Sequence, residues 1–93
     1  MKVQIAAYQV EWSAFGKGLK PLSAPPTPAE VSALTALFQE LAKQGFTPEK
    51  VESYRGLGME EKGRFLLRSI DQAGRPKEFY GRVKRGRALL EDG

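Results

Sequence analysis

Residues 63–87 read GRFLLRSIDQAGRPKEFYGRVKRGR, and this stretch decides the fold because it predicts a β-hairpin. Two runs rich in aliphatic and aromatic residues flank a candidate turn at residues 71–74. Asp71 can accept backbone hydrogen bonds at the start of a type I turn, and Gly74 can adopt the positive φ that must follow. A type I turn closed by such a glycine is a common three-residue hairpin connection. We therefore expect Asp71 to face Arg75 across the two strands.

This register assigns the side chains of the hairpin to two faces. The pairs on the first face are apolar: Leu67 with Phe79, Phe65 with Gly81, and Gly63 with Val83. The pairs on the second face are Arg68 with Glu78, Leu66 with Tyr80, and Arg64 with Arg82. Opposite charges and aromatic contacts stabilise paired strands, whereas Arg64 directly opposite Arg82 is unfavourable. On the first face we expect Phe65 to cover the bare backbone at Gly81.

A helical interpretation competes with the hairpin, because some apolar residues of this stretch also recur at helical spacing. It would place Gly63, Gly81 and Gly86 inside helices, and each glycine costs about 1 kcal/mol there relative to alanine. A one-residue slip of the hairpin fares no better, because it divides the apolar side chains between both faces. We therefore prefer the hairpin with the three-residue loop.

The clearest single element is an amphipathic helix that begins after Thr27. Thr27 and Glu30 can form a reciprocal capping box, and Pro28 suits the first helical position. An apolar stripe then follows at helical spacing: Val31, Leu34, Leu37, Phe38 and Leu41. Gly45 is placed to end the helix, with Phe46 packing back against it.

The rest of the chain is less clearly patterned. Residues 3–12 alternate as one strand, and residues 21–28 contain four prolines and predict an extended connector. Residues 47–62 are compatible with a short helix or with a strand followed by a turn. The C-terminal residues after Gly86 could add a short strand or a helical turn. Together these features predict one α+β domain spanning residues 1–93, in which one helix covers a mostly antiparallel sheet of three to four strands in β-α-β-β-β or β-α-α-β-β order.

Composition removes several classes of function. The chain has 93 residues, enough to bury a small core without cross-links, and it has no cysteine and no histidine. Disulfides, thiolate metal sites and a cysteine nucleophile are therefore excluded, and the commonest general base and metal ligand is missing. We expect no enzyme activity, no catalytic residue, no metal and no cofactor. The chain has no apolar run long enough to span a membrane and no apolar signal-peptide core, so we expect a cytoplasmic protein without membrane contact.

The net charge of +4 is concentrated in the second half of the chain. Residues 1–54 carry five basic and five acidic side chains, whereas residues 55–93 carry ten basic and six acidic ones. Cations around an aromatic ring on an exposed sheet face suit nucleic acid, since the cations hold phosphates and the ring stacks on a base. The candidate binding residues are Arg64, Arg68, Arg75, Lys77, Tyr80, Arg82, Lys84, Arg85 and Arg87.

These residues lead to two hypotheses about function. The first is a non-enzymatic protein that binds single-stranded or duplex nucleic acid through the hairpin face. The second is a regulator or inhibitor that clamps an acidic protein surface through the same face, because arginine and tyrosine are also enriched at protein interfaces. A compact accessory protein of a phage or mobile element would fit that description. A homodimer through an exposed edge strand is a further expectation.

Overall fold

The structure, a computed structural model, describes residues 1–55 and 64–93. Within these residues the fold consists of one α-helix and one seven-stranded sheet. In chain order the elements are β1 (Lys2–Ile5), β2 (Tyr8–Phe15), a 3₁₀ turn (Lys17–Leu19), β3 (Pro21–Leu22), α1 (Pro28–Lys43), β4 (Thr47–Tyr54), β5 (Phe65–Ile70), β6 (Pro76–Lys84) and β7 (Arg87–Asp92). The strands lie in the spatial order β1-β2-β4-β5-β6-β7, and β3 pairs with β2.

The predicted α+β class, with one helix on a mostly antiparallel sheet, is confirmed, but the predicted strand count is wrong. The sheet has seven strands rather than three to four, and three of them precede the helix. Both predicted orders are therefore also wrong. The additional strands come from a hairpin at the N-terminus, a two-residue strand at the start of the connector, and β7 at the C-terminus.

The N-terminal segment was predicted as one strand and is a hairpin. Ile5 pairs with Tyr8, so the turn contains only Ala6 and Ala7. Ala6 has a φ of 54°, in the left-handed region that two-residue hairpin turns require and that glycine or asparagine usually occupies. The turn reverses the chain and brings Val3 opposite Val10, so alternate residues of both strands face the core together.

The helix forms as predicted. Thr27 Oγ1 accepts a hydrogen bond from the Glu30 amide at 3.1 Å, and Glu30 Oε1 accepts one from the Thr27 amide at 3.0 Å. At the other end Gly45 has a φ of 87°, and the Phe46 amide donates to the Leu41 carbonyl oxygen at 2.9 Å. The stripe predicted for the core is buried at Leu34, Leu37, Phe38 and Leu41, with Val31 half-buried beside it.

The helix connects two parallel neighbouring strands, β2 and β4. A parallel pair requires a crossover of this kind, because a short turn cannot return the chain to the same end of the sheet. The connector at residues 21–28 starts that crossover. Pro21 and Leu22 pair with Phe15 and Ala14 as β3, so the first two residues of the connector belong to the sheet. Trp12 Nε1 then donates to the Ala24 carbonyl oxygen at 2.9 Å and fixes the connector against the sheet.

The central hairpin has the predicted register. Leu67 pairs with Phe79, Phe65 with Gly81, Leu66 with Tyr80, and Arg68 with Glu78. The Asp71 amide donates to the Arg75 carbonyl oxygen at 2.9 Å, and Gly74 has a φ of 80°, as the three-residue loop requires. The predicted pair of Gly63 with Val83 lies outside the described residues. For residues 47–54 the strand alternative is confirmed by β4, and the predicted turn after that strand also lies outside the described residues.

The side chains nearest to the bare backbone at Gly81 are those of Leu67 and Leu37, rather than that of Phe65. A Cβ at Gly81 would lie 2.9 Å from Leu67 Cδ1 and 3.1 Å from Leu37 Cδ1 and Cδ2. The helix therefore packs directly on the sheet backbone at this point through Leu37. Phe65, the cross-strand partner of Gly81, is itself buried in the core.

The sheet curls around the helix, because α1 contacts both β1 and β7, which lie at opposite edges of the sheet. The core lies between the concave face of the sheet and the apolar stripe of α1. The opposite, convex face carries no helix from the described parts of the chain and is called the open face below. α1 has 16 residues. No helix within residues 1–55 and 64–93 is long and apolar enough to cross a membrane.

Candidate functional site

The open face holds the side chains that alternate with the core residues along each strand. Phe79 and Gly81 of β6 are buried under the helix, so the residues between and beyond them, Glu78, Tyr80, Arg82 and Lys84, belong to the open face. Register then assigns the neighbouring strands. Arg68 and Leu66 of β5 pair with Glu78 and Tyr80, while Glu91, Leu89 and Arg87 of β7 pair with Tyr80, Arg82 and Lys84.

One end of the open face is electrically balanced. A cross-strand row runs from β1 to β6 through Lys2, Glu11, Lys50, Arg68 and Glu78. Positive and negative side chains alternate in it except at Lys50 and Arg68. Arg68 Nη2 lies 3.8 Å from Glu78 Oε2, and Lys50 Nζ lies 3.4 Å from Glu52 Oε2. Arg68 therefore contributes little net field to a ligand at this end.

Two other predicted binding residues are also engaged with carboxylates. Arg75 Nε donates to Asp71 Oδ2 at 2.9 Å within the hairpin loop. The backbone hydrogen bonds of Arg75 and Ala73 to Asp71, together with this side-chain bond, hold the pKa of Asp71 below its ordinary value. Lys77 lies on the helix side of β6, with Nζ 3.3 Å from Asp92 Oδ1 and 5.4 Å from the centre of the Phe79 ring. Neither cation belongs to the open face.

The other end of the hairpin concentrates positive charge, and no acidic side chain of residues 1–55 or 64–93 forms an ion pair with it. Lys84 pairs with Arg87 across the two strands, and Arg85 and Gly86 form the turn between them. Their φ angles of 53° and 74° match the positive values that a type I′ turn needs at both positions. We call Arg82, Lys84, Arg85 and Arg87 the basic turn. All four are exposed, and none makes an ion pair with an acidic residue that the structure describes.

The basic turn works against local stability. Like charges directly opposite each other destabilise a strand pair, and Lys84 with Arg87 is such a pair. Arg85 additionally adopts a left-handed conformation that is unfavourable for a residue with a long side chain. An anion that binds between these side chains would remove the repulsion.

Tyr80 lies next to the basic turn on the same face. Its ring is 36% exposed and carries the guanidinium of Arg64, whose Cζ lies 4.5 Å from the ring centre. This distance is that of a cation–π contact. Arg64 is one residue beyond the last paired position of β5, Phe65 with Gly81, and so lies near Arg82 as the register predicts. The ring of Tyr80 thus presents a face on which a planar group already stacks.

Two further aromatic residues extend this surface, and the sequence did not reveal them. Phe15 of β2 pairs with Tyr54 of β4, and their rings lie 5.5 Å apart with an angle of 17° between their planes. Tyr54 donates a hydrogen bond to Glu52 Oε1 at 2.5 Å. Burial raises the pKa of the Tyr54 hydroxyl, and the hydrogen bond to Glu52 raises it further. The hydroxyl therefore stays protonated at physiological pH. Neither residue belongs to a predicted strand, because the predicted N-terminal strand ends at residue 12 and residues 47–62 are compatible with a helix or a strand.

The comparisons with known proteins give no further guidance on this site. No protein-family model, no curated protein and no solved structure matches the chain. In the folded chain Arg64, Tyr80 and the basic turn lie together, with Phe15 and Tyr54 on the same face. Arg68, Arg75 and Lys77 lie apart from them or are engaged with carboxylates.

Proposed function

We propose that the protein is a non-enzymatic nucleic-acid-binding protein that holds a single strand on its open face. The basic turn carries this proposal. Four exposed cations lie within six consecutive residues, and they have no carboxylate partner among the described residues. Phosphate groups are the ligands that such a cluster binds best, because neutralising them also releases their counterions.

The aromatic residues beside the basic turn favour a single strand over a duplex. Bases that are not paired can stack on exposed rings, whereas the bases of a duplex are already stacked on each other. Tyr80 offers a ring face that the guanidinium of Arg64 covers, and a base can take the place of that guanidinium. In this arrangement the basic turn supplies most of the affinity and Tyr80 supplies the preference for unpaired bases.

The test is fluorescence anisotropy with labelled single-stranded RNA, single-stranded DNA and duplex DNA over a series of salt concentrations. Each phosphate neutralised on a single strand contributes about 0.7 to the log–log salt slope, so four contacts predict a slope of about −3. Tighter binding of a single strand than of a duplex of equal length is also expected. Absence of binding to all three probes at low salt would contradict the proposal.

An acidic protein surface is the second candidate partner. It is favoured by the contact of Arg64 with Tyr80, because these two residue types are over-represented at the energetic centres of protein interfaces. The half-buried Leu89 pairs with Arg82 and would add apolar area to such an interface. Binding of this kind loses less affinity in salt than binding to nucleic acid. The accessory or inhibitor role and the cytoplasmic location stay predictions.

A further inference from the structure

The free edge of β7 offers a second binding surface, which is separate from the ring of Tyr80. β7 is the last strand of the sheet, and no strand of the described chain pairs with its outer edge. It has six residues, contains no proline or glycine, and pairs with β6 without a register shift. Exposed edges of this kind readily pair with another strand.

The opposite edge of the sheet is protected in a way that β7 is not. It is formed by β1 and β3, which have four and two residues and pair with different parts of β2. Short, interrupted strands are one of the usual means by which proteins prevent edge pairing. Pairing through the β7 edge is therefore the more favourable of the two.

The backbone groups that point outward from β7 follow from the turn. In a two-residue hairpin the residues that close the turn, Lys84 and Arg87, exchange hydrogen bonds, and every second residue along β7 does the same. The Gly93 amide donates to the Glu78 carbonyl oxygen at 3.0 Å, in agreement with this alternation. Ala88 and Leu90 lie between these positions, so their amides and carbonyl groups face the free edge.

The charges along β7 allow two antiparallel copies of this strand to attract each other. The strand begins at Arg87, ends in Glu91 and Asp92, and has Leu89 at the centre of the segment between Arg87 and Glu91. In an antiparallel pair of two such strands centred on Leu89, each Arg87 lies opposite Glu91 of the second copy. The backbone groups of Ala88 then meet those of Leu90, as the outward-facing positions require.

We propose that two copies of this chain form a dimer by antiparallel pairing of β7 with β7, with Leu89 opposite Leu89. The twofold symmetry makes the Arg87–Glu91 ion pair twice, and the two residues occupy the closely spaced positions that bring side chains together. A groove of about 500 Å³ between α1 and β7, lined in part by Ala36, Gln39 and Ala88, leaves room beside the strand for the second copy.

This dimer does not depend on the proposed nucleic-acid function, and it limits that function at only one residue. Arg87 would be shared between the phosphate site and the ion pair to the second copy. Arg82, Lys84 and Arg85 lie in β6 or in the turn and stay outside the strand pair. An interface made by one pair of strands is small, so we expect a dissociation constant in the micromolar range.

The test is sedimentation equilibrium of the full chain, treated with nuclease, from micromolar to millimolar concentration. Arg87→Glu and Glu91→Arg each replace two attractive pairs by two repulsive ones, and each should weaken the dimer about tenfold or more. The double variant R87E/E91R exchanges the charges and should restore dimerisation to near the wild-type value. Lys20→Glu reverses an exposed charge far from β7 and should leave the equilibrium unchanged.

Three outcomes would overturn this inference. The first is a monomer over the whole concentration range, and the second is a dimer that neither single reversal weakens. The third is a double variant that stays as weak as the single variants although circular dichroism shows all of them folded. Because nucleic acid is absent from the experiment, none of these outcomes bears on the proposed binding of single strands.

Discussion

Arg55 and Glu30 form a bidentate ion pair that joins the end of β4 to the first turn of α1. Arg55 Nε donates to Glu30 Oε2 at 3.1 Å, and Arg55 Nη2 donates to Glu30 Oε1. Ser53 donates to the same carboxylate, which also caps the helix through the Thr27 amide. Arg55 in addition donates to the Pro25 carbonyl oxygen of the connector at 3.2 Å. One carboxylate therefore holds the helix, the connector and β4 together.

Replacing Glu30 should destabilise the fold more than replacing an exposed carboxylate on the same helix. Glu30→Gln removes the charge from a largely buried group that receives several charge-assisted hydrogen bonds, so we expect a loss of about 2 kcal/mol in the free energy of unfolding. Urea denaturation measures this loss. Glu40→Gln is the matched control, because the exposed Glu40–Lys43 pair spans 3.9 Å and should contribute less than about 0.5 kcal/mol. Equal losses in both variants would contradict the role assigned to Glu30.

The same carboxylate predicts a pH dependence of stability. Burial raises the pKa of Glu30, but the hydrogen bonds from Arg55, Ser53 and Thr27 outweigh it, and the pKa in the folded protein lies below the ordinary value of 4.5. A lowered pKa stabilises the fold fully above the unfolded value, and this stabilisation is lost as the pH falls through the folded value. The difference in stability between wild type and Glu30→Gln should therefore be constant near neutral pH and shrink below about pH 4.5. A difference that grows on acidification would refute this assignment.

Adding a single methyl group at Gly81 should destabilise the protein. The new Cβ would lie 2.9 Å from Leu67 Cδ1 and 3.1 Å from two atoms of Leu37, so the helix must shift or both leucines must leave their rotamers. Overpacking of this kind costs about 1–3 kcal/mol. Arg82→Ala at the adjacent exposed position should change stability by less than about 0.5 kcal/mol. A Gly81→Ala protein as stable as wild type would show that the helix does not pack on the sheet backbone there.

Tyr80 should affect binding of single strands without changing the number of phosphates contacted. Tyr80→Leu keeps an apolar side chain beside Leu66 but removes the ring, and we expect a loss of about 1–3 kcal/mol in binding free energy with an unchanged salt slope. Tyr8→Leu is the control, because Tyr8 faces the core and contacts the ring of Phe38 edge-on at 5.8 Å. Unchanged affinity of a folded Tyr80→Leu protein would show that bases do not stack on Tyr80.

The parts of this fold that the sequence predicts correctly depend on local chemistry. Thr27, Pro28 and Glu30 define the start of the helix within four residues, and Asp71 with Gly74 defines the hairpin loop and thereby its whole register. Each signal can be read because the residues that interact are close in sequence. The confirmed elements are those that carry such a signal.

The parts that sequence did not reveal depend on unusual backbone conformations or on distant contacts. Ala6 turns the N-terminal hairpin at a positive φ that nothing in its residue type indicates, and so one strand was predicted where two exist. The parallel pairing of β2 with β4 brings Phe15 beside Tyr54, although 38 residues separate them in the sequence. The ion pair of Arg55 with Glu30 likewise arises only when the crossover is complete.

The sequence predicts which face several of the candidate binding residues share, but not which of them have carboxylate partners. Tyr80, Arg82 and Lys84 share the open face, as the alternation of the strand predicts, and the pairing of Arg87 with Lys84 brings Arg87 beside them. Charge alone could not separate them from Arg75 and Lys77, whose carboxylate partners Asp71 and Asp92 become visible only in the folded chain. For this reason we propose phosphate contacts at the basic turn rather than at the three-residue loop.

The most direct test of the proposed function compares two double variants that remove the same charge from opposite ends of the hairpin. Lys84→Ala with Arg85→Ala removes two cations of the basic turn, and Arg75→Ala with Lys77→Ala removes two that are paired with carboxylates. Anisotropy with single-stranded RNA over a salt series should show that the first variant loses affinity and about 1.4 of the salt slope, at about 0.7 per contact, while the second retains both. Equal losses in the two folded variants, or a loss only in the second, would contradict the assignment of the binding site to the basic turn.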